Sequence, residues 1–230
     1  MNPHPVGNGT LAPRVRREFA ALMAALQLQG ANTEALLELT EREWQELLKF
    51  CDLAHLTLSL ARVEGSGFPA WVLDRLGRNV NDNVTRFERV KATYQEAAAV
   101  LNEAKARFLV LKGFTQSPEY VKNPRLRVQS DLDLYCPPEM VERARAALLS
   151  IGYRPDERQD YRRADHLPAL ARPGSWQWRG NAFDPEMPLS IELHFCLWNE
   201  EISLFPLPEV NRFWSRREFR KLEDISFPAL

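Results

Sequence analysis

Two aspartates alternate with leucines in the segment SDLDLY, at Asp131 and Asp133. Successive side chains of a β-strand point to opposite faces, so a strand here presents both carboxylates on one face and Leu132 and Leu134 on the other. The two carboxylates lie about 6.6 Å apart along such a strand. They offer hard oxygen ligands, which suit Mg²⁺ or Mn²⁺ better than Zn²⁺. The spacing therefore predicts a site for divalent cations.

A third carboxylate lies in a later segment with the same alternation, SIELHFCLW at residues 190–198. This segment has the clearest strand pattern in the chain. If its strand pairs beside the Asp131 strand with the polar faces aligned, Glu192 joins the acidic cluster. His194 then lies on the same side, two residues along. The sequence thus predicts a three-carboxylate metal site with a histidine beside it.

Basic residues and a glycine turn supply complementary chemistry. Lys112 and Gly113 follow an apolar run, and a glycine at a strand-to-helix turn lets backbone N–H groups and the helix N-terminus approach a phosphate. Arg125 and Arg127 precede the acidic strand, where guanidinium groups can hold phosphate oxygens or pair with the carboxylates. Acidic groups for metal and basic groups for phosphate indicate phosphoryl or nucleotidyl transfer.

The order of these motifs resembles the nucleotidyltransferase superfamily, which has the DNA polymerase beta type of catalytic fold. More narrowly, LKG followed by an arginine, SDLDLY, LLSIGY and IELHF is similar to a bacterial family of uncharacterised nucleotidyltransferases that carries an LKG turn. The resemblance covers roughly residues 108–198. It implies an α+β fold, with a nucleotidyltransferase-like mixed β-sheet flanked by helices and an N-terminal helical region.

The resemblance also implies roles for single residues. Asp131 and Asp133 would bind two Mg²⁺ ions and Glu192 would complete the set, while Lys112 and Gly113 would form the turn that binds the triphosphate. In the two-metal scheme, one ion activates the acceptor hydroxyl and the other holds the triphosphate.

Further roles at this site are expected for other residues. The wider superfamily has a Gly-Ser turn, so here the serine contact to phosphate is either absent or replaced by Thr115. Arg127 is expected to bind the nucleotide. Glu192, or His194 beside it, would accept the proton of the acceptor hydroxyl. His166, in HLPAL, either orients the acceptor or is a loop histidine.

The N-terminal part of the chain has helical patterns. Thr40 and Glu43 form a capping-box signature ahead of a helix over residues 44–61. Residues 70–106 are predicted as one long helix, or as two with a break at 79–83.

From these patterns we predict a helical region over residues 1–106 and a catalytic domain over residues 107–230. The segments LPALARP and WQWRG are strand-like and would extend the sheet. The run RFWSRREFRK, at residues 212–221, is predicted as a C-terminal basic helix with its aromatic residues turned inward. The chain ends soon afterwards, whereas members of the resembling family usually continue, so we expect a short member or a truncated chain.

Composition narrows the function classes. With 230 residues, of which 45% are hydrophobic, the chain is long and apolar enough to fold around a sizeable core. The formal net charge of −1 provides no global basic field, which makes nucleic acid an unlikely partner. Three widely spaced cysteines, the lack of a membrane-length apolar run and the absence of a signal-peptide pattern predict a soluble, cytoplasmic protein.

Three function classes remain open. The leading one is a Mg²⁺- or Mn²⁺-dependent nucleotidyltransferase that moves NMP from ATP or another NTP to a small molecule, a glycan precursor or a protein. The second is a toxin-like enzyme that modifies RNA, since RVQSDLDL resembles abortive-infection nucleotidyltransferases. The third is a nucleotide-binding or scaffold module without turnover.

Overall fold

The computed structural model describes residues 15–63, 67–155, 165–199, 204–207 and 209–230. Contacts within the chain divide it into two compact units, Met1–Arg78 and Asn79–Leu230. Across the described ranges, we find no helix with both the length and the apolar character needed to cross a membrane.

The first unit is helical. It contains α1 (Arg17–Ala25), α2 (Glu34–Leu37), α3 (Glu41–Leu53) and α4 (Thr57–Leu60). Its core includes Trp44, Leu47 and Leu48, none of which is exposed to solvent. The predicted capping box is present at the start of α3, where the Thr40 hydroxyl accepts from the Glu43 backbone N–H, and the Glu43 carboxylate accepts from the Thr40 backbone N–H.

The prediction of one helix over residues 44–61 is wrong, because α3 ends at Leu53. His55 adopts a left-handed backbone conformation, with φ of 58°. The Leu56 N–H donates to the Cys51 carbonyl at 2.8 Å, which is the six-to-one bond of a Schellman motif. This motif usually has glycine at the left-handed position. Because histidine occupies it here, the sequence carries no signal for the end of the helix.

The long helix α5 (Ala70–Glu103) runs through the boundary between the two units without a break. Tertiary hydrogen bonds compensate the poor helix propensity of Asn83. The Asn83 side chain is buried and its Nδ2 donates to the Arg125 carbonyl at 2.6 Å and to the Arg127 carbonyl at 3.2 Å. Asn83, at the end of the suggested break, is therefore part of the buried interior of the second unit.

The second unit contains a five-stranded mixed sheet of order β1-β2-β5-β4-β3 and the helix α6 (Pro138–Ser150). Its strands are β1 (Leu109–Leu111), β2 (Asp131–Tyr135), β3 (Arg154–Pro155), β4 (Leu170–Ala171) and β5 (Ser190–His194). The pair β2 and β5 is parallel and the other pairs are antiparallel. The buried leucines and isoleucine of β2 and β5 form one core with residues of α5 and α6. The α+β fold predicted from the sequence is confirmed.

A buried arginine of α5 anchors the segments that lead into β2 and β5. Arg86 is 1% exposed, and its Nη1 donates to the carbonyls of Asp184 and Met187 at 2.9 and 3.2 Å. Its Nη2 donates to the Gln129 carbonyl at 3.3 Å. One guanidinium group thus fixes the entry of both strands that carry the candidate site.

The predicted sheet extension is shorter than expected. LPALARP contributes only the two-residue strand β4, and the described residues 172–180, which include WQWRG, form no strand. Trp176 instead donates from Nε1 to Asp184 Oδ2 at 2.9 Å, and its ring meets that of Trp178 edge to face.

The predicted C-terminal basic helix is wrong. Val210–Arg216 forms a 3₁₀ helix, and the rest of the run belongs to a hairpin of β6 (Glu218–Leu222) and β7 (Ile225–Ala229). Every second residue of β7, namely Ile225, Phe227 and Ala229, packs in the core, which is the pattern of a strand. Phe219, expected to face inward, is 81% exposed.

The boundary between the compact units falls inside α5, because the later part of this helix, with Phe87, Val90 and Tyr94, packs into the core of the second unit. The domain division at residues 106 and 107 stays a prediction from the sequence.

An ion-pair network holds the turn of the β6–β7 hairpin to α5. Lys91 Nζ lies 2.8 Å from Glu223 Oε2 and 3.0 Å from Asp224 Oδ1. Arg125 pairs with Glu223 and, at 2.7 Å, with Glu88. The hydrogen bonds from Arg125 and Lys91 lower the pKa of Glu223 to about 2.

We expect Glu223→Gln to lower the free energy of unfolding by about 1 kcal/mol at pH 7, since the network is only partly shielded from solvent. The pKa of Glu223 is lower in the folded chain than in the unfolded chain. Its contribution is therefore complete above pH 4.5 and disappears as the pH falls towards 2. Denaturant unfolding at several pH values between 7 and 3 measures the difference between variant and wild type. The exposed Glu186→Gln is the matched control, and an equal deficit at every pH would contradict the assignment.

Candidate metal and nucleotide site

The parallel pairing of β2 and β5 brings the acidic residues of the two strands side by side. In the register of this pair, Asp133 is opposite Glu192 and Asp131 is opposite Ser190. The apolar residues between them, including Leu132 and Leu193, are buried on the other face. Burial of that face fixes the register, because a shift by one residue would expose it.

Asp133, Glu192 and His194 form a compact cluster, in which one possible ligand atom from each lies within 4.8 Å of the others. His194 Nε2 is 2.9 Å from Asp133 Oδ1 and 3.7 Å from Glu192 Oε2. Asp133 and His194 are buried, at 3% and 4% exposure, and Glu192 is half-buried. His194, predicted as a neighbour of the metal ligands, is therefore in direct contact with them.

Asp131 begins β2 on the same face and is half-buried. Burial raises its pKa and the Asp133 carboxylate raises it further, while Lys112 and Arg127 oppose the increase. Burial likewise raises the pKa of Glu192, and Asp133 and Asp131 add to it. The predicted three carboxylates thus repel one another across a partly desolvated space.

Lys112 brings a positive charge into contact with this cluster. Its Nζ donates to Asp133 Oδ1 at 2.7 Å, although its side chain is 58% exposed. Burial opposes ionisation of Asp133, but the hydrogen bonds from His194 and Lys112 outweigh it and lower the pKa of this carboxyl. Lys112 has a φ of 51°, a strained conformation for a residue with a side chain, and such strain is concentrated at functional sites.

The turn after Lys112 depends on glycine. Gly113 has a φ of 52°, and a Cβ at this position would overlap the amide group of Gln129. Thr115 Oγ1 donates to the Lys112 carbonyl at 2.6 Å and so stabilises the same turn. The helix expected after the turn is only one 3₁₀ turn, Gly113–Gln116, so a helix N-terminus contributes little to phosphate binding.

The two arginines before β2 differ in their surroundings. Arg127 lies close enough to lower the pKa of Asp131 and has no ion pair within the part of the chain that the structure describes. Arg125 is engaged by Glu88 and Glu223, away from the acidic cluster. Of the two, only Arg127 is placed for the predicted contact with a nucleotide.

Sequence analysis gave Asp165 no role, but its Oδ2 lies 3.4 Å from His194 Nδ1. His194 therefore has a carboxylate near each ring nitrogen. His166 forms a β-bridge with His194, and their rings are 5.1 Å apart. The loop that carries Asp165 has no periodic pattern, so nothing in the sequence indicated this contact.

The donor set fits a divalent cation. Crowded carboxylates with raised pKa values are stabilised by a bound cation, and carboxylate oxygens suit Mg²⁺ and Mn²⁺. Asp131, Asp133 and Glu192 are the oxygen donors, and His194 adds a nitrogen within the same cluster.

Comparison with protein families gives an independent result. Residues 40–230 match the model of a family described as uncharacterised nucleotidyltransferase. Comparison with curated proteins gave no match. The matched range contains the acidic cluster, Lys112 and the strands that position them. The chain therefore belongs to this nucleotidyltransferase family.

Proposed function

We propose that this protein is a Mg²⁺-dependent nucleotidyltransferase that moves NMP from an NTP to a hydroxyl or phosphate group of an acceptor. The observation that carries the proposal is the pairing of Asp133 with Glu192 on parallel strands, with Asp131 on the same face, in a chain of this family. Mn²⁺ would serve the same ligands.

Asp131, Asp133 and Glu192 are the residues that would hold the metal. When bound, divalent cations activate an acceptor hydroxyl and neutralise the charge that develops on the transferred phosphate. Their ligands come from two rigid strands, which keeps the cluster preorganised.

Lys112 and Arg127 bind the triphosphate in this proposal. The Lys112 ammonium group donates a hydrogen bond to Asp133 and its side chain is largely exposed, so it has room to turn from the carboxylate to a phosphate oxygen. Gly113 and Thr115 hold the turn from which Lys112 projects.

For a hydroxyl acceptor, the transfer forms one bond and breaks one. The acceptor oxygen bonds to the α-phosphorus, the bond from that phosphorus to the bridging oxygen breaks, and pyrophosphate leaves. Glu192, whose carboxylate lies in the same cluster, takes the hydroxyl proton. His194 acts as a positioning residue, because its ring bridges Asp133 and Asp165.

The net charge of −1 supports a small-molecule, glycan-precursor or protein acceptor over RNA. The RNA-modifying and non-catalytic alternatives find no specific support in the described residues. The cytoplasmic location remains a prediction from the sequence.

Calorimetry tests the site directly. We expect the wild type to bind at least one NTP only when Mg²⁺ is present, and the Asp131→Asn/Asp133→Asn variant to bind it at least 100-fold more weakly. The two substitutions remove charge while keeping shape. The exposed Asp74→Asn is the matched control, and circular dichroism checks the fold. Mg²⁺-dependent binding that survives in the double variant would refute the proposed ligands, and no NTP binding by the wild type would refute the function.

Lys112→Met distinguishes the pairing of this lysine with Asp133 from its proposed binding of the triphosphate. Removal of a competing ammonium group should strengthen the binding of Mn²⁺ alone roughly three- to tenfold, while NTP binding with Mg²⁺ weakens roughly tenfold. Electron paramagnetic resonance of free Mn²⁺ and calorimetry measure the two affinities. The exposed Lys122→Met should change neither. A loss of affinity for both ligands would show that Lys112 only supports the fold.

His194→Ala should weaken Mn²⁺ binding in the presence of NTP by 10- to 100-fold, because Asp133 loses the group that orients it. His194→Gln keeps an N–H donor and should recover most of this loss, a recovery that a purely packing role would not give. Both affinities follow from Mn²⁺ titrations of correctly folded protein. If the alanine and glutamine variants both bind Mn²⁺ as tightly as the wild type does, His194 has no part in the site.

A further inference from the structure

A cavity of about 470 Å³ lies in the second unit between the end of α5, the start of β1 and the β6–β7 hairpin. Much of its wall is apolar or aromatic, formed by Ala98, Phe108, Trp214, Phe219 and Pro228. A concave site of this size accommodates a small organic molecule.

Three basic side chains line the same cavity, Lys105, Arg107 and Arg217, and no acidic residue is among the described residues that line it. The Arg217 guanidinium carbon lies 4.6 Å from the centre of the Trp214 ring, and that of Arg107 lies 5.7 Å from it. These cation–π contacts hold the two guanidinium groups beside the cavity.

The three basic side chains retain hydrogen-bond donors that a ligand can use. Arg107 Nη2 pairs with Glu139 Oε1 at 2.8 Å, but both side chains are more than half exposed, and such a pair is weak. Arg217 Nη1 donates to the Trp214 carbonyl at 2.8 Å, which leaves its other donors. Within the described ranges, Lys105 pairs with no carboxylate.

The cavity is separate from the metal cluster. The Trp214 ring contacts Tyr135, at the end of β2 opposite to Asp131, with ring centres 5.8 Å apart. In the β1–β2 register, Tyr135 is opposite Leu109, so the cavity borders the start of β1, whereas Lys112 follows its end. None of the proposed metal or triphosphate ligands lines it.

We propose that this cavity is a binding site for a small organic anion that carries an aromatic ring. The ring would pack on Phe108, Trp214 and Phe219, and the acidic group would accept hydrogen bonds from Lys105, Arg107 and Arg217. A cavity with an apolar wall and only positively charged side chains binds anionic aromatic molecules more tightly than neutral or cationic ones. The proposal does not depend on the nucleotidyltransferase function.

The test uses 2-naphthalenesulfonate as the probe and 2-naphthalenemethanol as its uncharged match. Titration is followed by the indole N–H resonances in ¹H–¹⁵N spectra, with Trp214 assigned from the spectrum of Trp214→Phe. We expect the sulfonate to shift the Trp214 resonance in a saturable manner, and the alcohol to bind at least tenfold more weakly.

Lys105→Gln/Arg217→Gln should weaken binding of the sulfonate at least tenfold, while the alcohol binds this variant and the wild type alike. The exposed Arg143→Gln on α6 is the matched control and should leave both affinities unchanged. Unperturbed indole resonances other than that of Trp214 verify that the double variant is folded. Equal binding of the two probes, equal binding by the double variant, or shifts confined to other tryptophans would overturn the proposal.

Discussion

The candidate site rests on one constraint, the in-register parallel pairing of β2 with β5. This pairing buries an apolar face shared by the two strands and, on the opposite face, sets Asp133 beside Glu192. Arg86 supports it by fixing the backbone that leads into each strand. One register determines both faces, so a shift in the pairing of β2 with β5 would disrupt the core packing and the acidic cluster together.

The site has its own electrostatic requirement. Asp133 is buried, and a buried carboxylate is tolerated only with compensating partners. Lys112 and His194 provide these partners through the same oxygen, Oδ1. Among the residues that the structure describes, no side chain donates a hydrogen bond to the carboxylate of Asp131 or Glu192, and the pKa values of both are raised. The cluster therefore combines one stabilised carboxylate with two that favour a cation, an arrangement suited to binding metal reversibly.

Strong local patterns made part of this structure predictable. The alternation in SDLDLY and SIELH gave two strands and their common polar face, and the Thr40–Glu43 pair gave the start of α3. If these two strands pair, the alternation also places His194 on the face of Asp133, whereas the order of the other strands in the sheet was not predicted.

Other features have no local signal. The left-handed helix end at His55 carries no glycine, and the contact of Asp165 with His194 joins a patternless loop to a strand. In the run at residues 212–221, nothing local marks the point at which the 3₁₀ helix ends and a strand begins. Only the pairing of Glu218–Leu222 with Ile225–Ala229 defines the strand. Long-range contacts of this kind override local propensity.

The pairing of β2 with β5 has a kinetic consequence as well. A long connection joins Tyr135 of β2 to Ser190 of β5. Closing it lowers the chain entropy before any contact between the two strands can form. Since the candidate acidic ligands are divided between the two strands, an unfolded or half-folded chain offers no complete set of them. A cation that occupies the cluster thus binds only chains that have closed this loop, and by mass action it draws the folding equilibrium towards them.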